Sequence, residues 1–529
     1  MKKALLLLTW LLLTALLLVA CGGTEIPGEE GPVGVTADGD LVFLDGGESL
    51  FQVTYPMGAN RNQTTGASFA DALTKLRRTI KELGYTGDLF PIKDDEVPFS
   101  EKDTFVAPEY EILLGEVDRT ETEGVPETLA YNEAIIRVVG KKVIVVGATD
   151  ILTIQATHHF IDNYLKVVDG RVVIPKTLDE KIYLDLSYCQ STEMTYEEMA
   201  KDVFDSFNKR YWNGTQLLKE TGPYDFWQPA EMLETYIDVY EATKTEANKQ
   251  KMISLASAFV RLKRADWSWN EFNDDIMWAC IAFACITILT GDERWIGYAK
   301  DNFDKAWASE VNNILGGGMY WKKDHKSKNA CVNGPAAIAA CLIGQYTKDD
   351  SYYEKAKQLI DWMTTKLYQK GTGKVYDSIA VNGDVGDWSS TYNQGTFLGA
   401  CTFLWKHYND ETYLGYANKA ADYAIKKLTS GGILNNGEAS TTNGDLPGFK
   451  GILVRWLYRL AKETNNVDYL VFLQNNAAAA YKNRNSDGLI WTAWGSKTPD
   501  SDTLKSENGY VVYGVSTAVA LMYNCQQWW

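Results

Sequence analysis

Two adjacent carboxylates, Asp274 and Asp275, stand in the stretch WSWNEFNDDIMWACIAFACITIL, between a tryptophan-rich loop and a long apolar run. One acid is enough to cap a helix, and Asn273 or Asp274 suits that task. Dipole stabilisation of a carboxylate at a helix start amounts to about 0.3–1 kcal/mol. A second acid beside the first, crowded by Trp267, Trp269, Phe272 and Trp278, points beyond capping to chemistry.

Neighbouring helical residues project about 100° apart, so the two carboxyls diverge rather than share one proton. A pair of carboxyls about 5–5.5 Å apart is the arrangement of retaining glycoside hydrolysis, with one nucleophile and one general acid/base. The acid nearer the helix amides is expected to ionise readily. The one against indole rings is expected to hold its proton longer.

Other chemistries have little material. The chain has four histidines (His158, His159, His325 and His407) and eight cysteines without CxxC spacing. That argues against a zinc site or a Ser-His-Asp triad, and neither metal nor cofactor is expected. Most of the cysteines sit in apolar helical context and read as buried thiols. Gly316 to Gly318 lack a following Lys-Ser/Thr pair and read as a turn, not a phosphate cradle. A net charge of -17 with no long basic run argues against nucleic acid. The 17 Trp and 30 Tyr suit neutral sugar rings, although they serve cores equally well.

The elements that must position the pair come next. After Ser187, segments apolar on nearly all sides recur at 229–242, 275–289, 334–346, 394–408, 451–463 and 514–525. Six amphipathic segments alternate with them, among them TGDERWIGYAKDNFDKAW and YNDETYLGYANKAADYAI. A helix apolar all round is buried, and an amphipathic one faces water on one side. A period of roughly 50–60 residues implies repeated helical hairpins. Six of each predicts an (α/α)6 barrel in 187–529, in preference to an open α-solenoid. The inner-helix starts then converge on one mouth, where loops on a rigid scaffold carry function. Those loops read YDFWQP, WSWNEFNDD, KSKNACVNGP, DWSSTYNQG, LPGFKG and ENGYVVYG. Before the barrel, 41–186 mixes strand patterns (LVFLD, FQVTYP, YEILLG, NEAIIRVV, KKVIVVG) with two helical ones, an α/β accessory domain. It loosely resembles the small non-catalytic domain found before several glycoside hydrolase barrels. Gly115 and Gly147 read as strand ends.

The N-terminus, MKKALLLLTWLLLTALLLVACGG, is an export signal over 1–20, just long enough to be a retained anchor instead. Leu18-Val19-Ala20-Cys21 resembles a bacterial lipobox. That resemblance implies cleavage before Cys21, lipid on its thiol and a linker over 21–40. The expected location is the cell surface or a periplasm-facing membrane.

The motifs FNDDIMW, GGGMYW, KNACVNGP, TYNQG and GFKGILVRWL, in that order and spacing, resemble glycoside hydrolase family 76 over about residues 197–525. That family contains endo-α-1,6-mannanases and related fungal wall transglycosidases. The resemblance implies a retaining (α/α)6 enzyme with Asp274 as nucleophile, Asp275 as acid/base and an α-1,6-mannan substrate. Trp227, Trp269, Trp321 and Trp388 then offer faces for sugars, or pack the rim. Asn329 and Asn333 offer hydroxyl partners, although Asn333-Gly334-Pro335 also reads as a capped helix start. Tyr392, Asn393 and Gln394 read as a polar cluster facing the cleft. Lys450 is expected to reach a hydroxyl and Phe449 to form a wall. Gly448 and Gly451 are expected to permit close backbone approach. A monomer is expected. A transglycosidase, or a non-catalytic mannan-binding lipoprotein, remains an alternative to the hydrolase.

Overall fold

The computed structural model describes residues 34–56, 69–97, 104–129, 133–148, 150–183, 194–217, 226–434, 436–440, 444–500 and 512–528. The signal at 1–20, Cys21 and the 186/187 boundary lie outside them.

Two hydrophobic cores form, one from residues between Leu41 and Leu178 and one from residues between Met199 and Cys525. The first surrounds a mixed sheet. Its strands are β1 (Leu41–Asp45), β2 (Gln52–Tyr55), β3 (Ile92–Asp94), β4 (Glu111–Leu114), β5 (Glu133–Val139), β6 (Lys142–Gly147), β7 (Val167–Val168), β8 (Arg171–Ile174) and β9 (Asp179–Tyr183). Helices α1 (Phe69–Glu82) and α2 (Asp150–Tyr164) accompany them. Six strands run in the order β3-β2-β4-β6-β5-β9, and β1-β8-β7 form a separate antiparallel sheet. Strands β2, β3, β4 and β6 pair in parallel, while β5 runs antiparallel to both β6 and β9. Central β4 and β6 are near-continuous apolar runs because both faces are buried. Edge strand β9 (DEKIY) alternates and carries charge, which blunts the edge. The 34–40 part of the expected linker folds back on β1 through a Val35–Leu41 bridge.

The second core belongs to twelve helices: α3 (Tyr196–Tyr211), α4 (Trp227–Thr243), α5 (Glu246–Lys263), α6 (Asn273–Thr290), α7 (Arg294–Glu310), α8 (Ala330–Thr347), α9 (Asp350–Lys366), α10 (Thr391–Tyr408), α11 (Glu411–Lys427), α12 (Phe449–Thr464), α13 (Val467–Lys482) and α14 (Val512–Tyr523). Helices α4, α6, α8, α10, α12 and α14 each pack on the next, and α14 packs back on α4. This is the (α/α)6 barrel, with the amphipathic helices outside. Glycine sets the closest approach: a Cβ on Gly395 of α10 would lie 2.7 Å from Leu453 Cα of α12.

The inner helices begin two to four residues earlier than the apolar runs suggest. Helix α8 starts at Ala330 and carries Pro335 inside it. Outer helices α3, α5, α9, α11 and α13 have side-chain caps from Thr195, Thr245, Asp349, Asp410 and Asn466. Inner helices α4, α6, α8 and α12 start without one, and the first amides of α6 and α8 donate instead to backbone, Asn273 N to Trp321 O and Ala330 N to Asp377 O. Short strands β10 (Ser327–Asn329), β11 (Ser378–Ala380) and β12 (Val385–Gly386) form an antiparallel sheet in the loops before α8 and α10.

Further along the barrel, three acids of α4 surround one buried arginine of α12. The Arg455 guanidinium donates to Asp238, Glu231 and Glu234, each at 3.0 Å. This cluster carries more acid than base, and burial raises all three carboxyls, Asp238 to about 6.

Candidate active site

The N-cap of α6 is Phe272, with no side-chain cap, so both aspartates lie inside the first turn. Asn273 does not cap either. Its backbone N–H donates to Trp321 O at 2.9 Å, and its amide to Tyr320 O at 2.9 Å and Glu310 Oε2 at 3.1 Å. Neither residue proposed for capping, Asn273 or Asp274, has that role.

A strap between α7 and α8 pairs with the loop before α6, with Phe272 bridged to Lys322. It brings Trp321 over the helix start, where the indole N–H donates to Asp274 Oδ2 at 3.0 Å. Asp275 is held from the other side. Its Oδ2 accepts from Asn270 Nδ2 at 2.8 Å, and Asn270 Oδ1 accepts the Phe272 N–H at 2.9 Å. The two carboxyls thus answer to different loops, as their angular offset requires.

The Cys331 thiol, from the first turn of α8, lies beside the same carboxyl as the Trp321 indole, that of Asp274. Its Oδ1 is shielded from solvent and takes no hydrogen bond among the described residues. Burial pushes Asp274 up to about 7, against the lowering pull of the Trp321 indole, the Cys331 thiol and the first-turn amides. From the sequence, these influences are expected on two different acids. At Asp274 they meet in one group, and desolvation outweighs the donors.

A cluster of rings surrounds Tyr392, which lies in electrostatic reach of Asp274. Tyr392 of α10 stacks on Phe449 of α12 with ring centres 3.8 Å apart and planes 17° apart. Trp278 approaches Tyr392 at 6.3 Å and Trp227 at 6.1 Å. Trp227 also meets Phe449 at 6.1 Å and Tyr513 edge-on at 4.9 Å. Its indole N–H donates to Asp445 Oδ1 at 3.0 Å. Trp388 adjoins Phe449 at 6.3 Å and remains 48 % exposed. Trp269, 55 % exposed, packs edge-on against Phe226 and donates to Lys263 O. No ring contact among the described residues joins Trp269 to that cluster.

Several expected ligand contacts are spent inside the protein. Asn333 is fully buried, with Oδ1 accepting from Met319 N and Nδ2 donating to Met319 O and Asn329 O. Gln394, also fully buried, accepts from Val375 N and donates to Gly373 O and Ala420 O. Lys450 Nζ donates to Leu434 O at 3.1 Å and Thr492 O at 2.6 Å, and burial pulls it down to about 7. These three side chains brace loops; none is open to a ligand, which corrects the sequence expectation. Buried amides in a low-dielectric wall must find partners, and here backbone supplies them. Asn329 is nearly buried, its Oδ1 accepting from Ser327 Oγ at 2.7 Å. Asn393 Nδ2 donates to Asp377 Oδ1 at 3.1 Å, while its own Oδ1 is buried without a partner.

Sequence reasoning passed over Cys331, Asn270 and Asp377. A start of α8 at Ala330 would have put Cys331 at the mouth; reading the start at Gly334 hid it. Asp377 sits just before β11, in electrostatic reach of Cys331 and Tyr392, and burial raises it. Nothing in the spacing of VYDSIA marks it.

Residues 191–523 match the model of glycosyl hydrolase family 76. The chain belongs to glycosyl hydrolase family 76. Among solved family 76 structures, an inactive variant of the α-1,6-mannanase GH76A of Salegentibacter sp. HEL1_6, in complex with α-1,6-mannotriose, has two adjacent aspartates changed to asparagine. It is 28% identical, covers 63% of this chain and 99% of its own, and has a TM-score of 0.57. The Lin0763 protein of Listeria innocua is 27% identical, with coverage of 63% and 97% and a TM-score of 0.56. The mannan endo-1,6-alpha-mannosidase DCW1 of Saccharomyces cerevisiae is 24% identical over 336 residues, 57% of this chain and 72% of that protein. Its Candida albicans namesake is 26% identical over 264 residues, 43% of this chain and 57% of that protein.

Proposed function

We propose that this family 76 enzyme is a retaining endo-acting hydrolase of α-1,6-linked mannan. The observation that carries the reading is the placement of Asp274 and Asp275 in the first turn of α6, held by separate donors, with Tyr392 of an aromatic cluster in reach of Asp274. The Salegentibacter relative, inactive when two adjacent aspartates are changed, supports it.

Asp274 is the nucleophile. Its carboxylate attacks the anomeric carbon as the bond to the leaving sugar breaks, giving a glycosyl ester. Asp275 donates its proton to the departing glycosidic oxygen. It then takes a proton from the incoming water, which displaces Asp274 and restores both groups. A carboxyl near 7 is about half ionised at neutral pH. Positive charge developing on the sugar ring favours the ionised form further. Tyr392, Phe449, Trp227 and Trp388 supply the stacking wall, with Trp269 and Asn329 at its margins.

The reading extends to an exported protein held by lipid at Cys21, with 41–186 as an accessory domain and 187–529 as the catalytic one. Asp274→Asn and Asp275→Asn test the core of it: each is expected to abolish cleavage of linear α-1,6-mannan without unfolding the barrel. Full activity in either refutes the roles. Product sizes distinguish hydrolysis from transfer, since a transglycosidase gives chains longer than the substrate.

A further inference from the structure

We propose that Glu310 and His325 are positioning residues: they clamp the strap at Tyr320 and Trp321 onto the first turn of α6 and so keep the Trp321 indole on Asp274. This rests on Asp274 being the nucleophile.

Glu310 is the last residue of α7 and is buried. Its Oε2 serves two elements, accepting from Asn273 Nδ2 at 3.1 Å and standing 3.0 Å from His325 Nε2. A carboxylate only accepts, so the imidazole presents an N–H there. Asn273, the residue before Asp274, is fully buried. Its side-chain amide donates to Tyr320 O at 2.9 Å as well as to Glu310, and its backbone N–H donates to Trp321 O at 2.9 Å. Its Oδ1 is buried without a partner among the described residues. Turning the amide over would set that oxygen against Tyr320 O and Glu310 Oε2, which are both acceptors. The donors therefore fix its orientation.

Tyr320 is held from the other side too. Its N–H donates to Glu310 O at 3.2 Å, and its ring stacks on His325 with centres 4.5 Å apart and planes 26° apart. His325 itself stands at φ +56°, a backbone position that favours glycine, and its side chain reaches back to Glu310. The residue after Tyr320 is Trp321, whose indole donates to Asp274 Oδ2 at 3.0 Å. No hydrogen bond among the described residues joins Glu310 or His325 to Asp274. They act through Asn273 and the strap, and a donor displaced by about an ångström no longer serves the reacting group.

The test is a double-mutant cycle on linear α-1,6-mannan, with melting temperatures recorded. It uses wild type, Glu310→Ala, Glu310→Gln, His325→Ala, Trp321→Phe, the pairings of Glu310→Ala and His325→Ala with Trp321→Phe, and Asp274→Asn. Glu310→Ala is expected to lower kcat about tenfold and His325→Ala about threefold, each with KM within about twofold. Glu310→Gln keeps a carbonyl acceptor for Asn273 and should recover most of the rate. In the Trp321→Phe background the indole donor is already gone, so either alanine should cost less than about twofold more. The clamp is overturned if both alanine variants keep the wild-type kcat. It is equally overturned if their losses are as large in Trp321→Phe as in wild type, or if Trp321→Phe keeps full kcat. If Glu310→Ala fails to fold, the half-exposed His325 and its cycle decide by the same criteria. An active Asp274→Asn instead overturns the assignment of the nucleophile.

Discussion

Trp321 Nε1 donates to Asp274 Oδ2 at 3.0 Å across 47 residues of sequence. The strap that carries Trp321 is itself fixed, because Asn333 holds both the N–H and the carbonyl of Met319. Replacing Trp321 with Phe keeps the ring and removes the donor. Hydrogen bonds to charged groups contribute about 1.5–3 kcal/mol, so kcat should fall roughly 10–100-fold while the fold persists. Steady-state kinetics with circular dichroism checks this.

The pH dependence has a definite sign. Burial sets Asp274 near 7, and as the proposed nucleophile it works only when ionised. Below that value its ionised fraction, and with it kcat/KM, should drop about tenfold per pH unit. The limb should lie well above the ordinary carboxylate value of about 4. A pH profile flat down to pH 5 would contradict the burial of this group.

Gln394 and Asn333 brace backbone instead of substrate. Gln394→Ala and Asn333→Ala each strip three hydrogen bonds from buried partners, at a cost of about 1–3 kcal/mol or more. Both variants should melt several degrees lower. At temperatures where each stays folded, KM for manno-oligosaccharides should match wild type.

These corrections show what the sequence could and could not convey. Alternation of fully apolar with amphipathic helices made the barrel legible, because burial on all sides leaves that imprint on composition. The strands with buried faces, β4 and β6, were legible for the same reason. Short β3 (IKD) and β7 (VV) carry exposed residues and no period, and they owe their pairing to neighbours. In the site, residue type identified the aspartate pair, but not which polar side chains face the cleft. Asn393 and Gln394 are adjacent and both polar, and only packing directs the second wholly to backbone. Cys331 was hidden by a helix start misplaced by one turn.

The Arg455 cluster should govern stability far from the chemistry. Glu231, Glu234 and Asp238 are all raised by burial, so the folded state holds protons more tightly than the unfolded one. Their contribution is fully present below the ordinary carboxyl range. It is lost as pH rises through their folded values, Asp238 near 6. Glu234→Gln should flatten this decline in a melting series from pH 4 to 8. Arg455→Met strands three buried acids and should cost about 3–5 kcal/mol.

Proton NMR of the first products formed from linear α-1,6-mannan is the most direct measurement. Two displacements at one carbon, through Asp274, predict that the newly freed reducing ends appear first as the α-anomer and mutarotate afterwards. Initial appearance of the β-anomer would mean that water attacks the sugar directly, and that Asp274 never bonds to it.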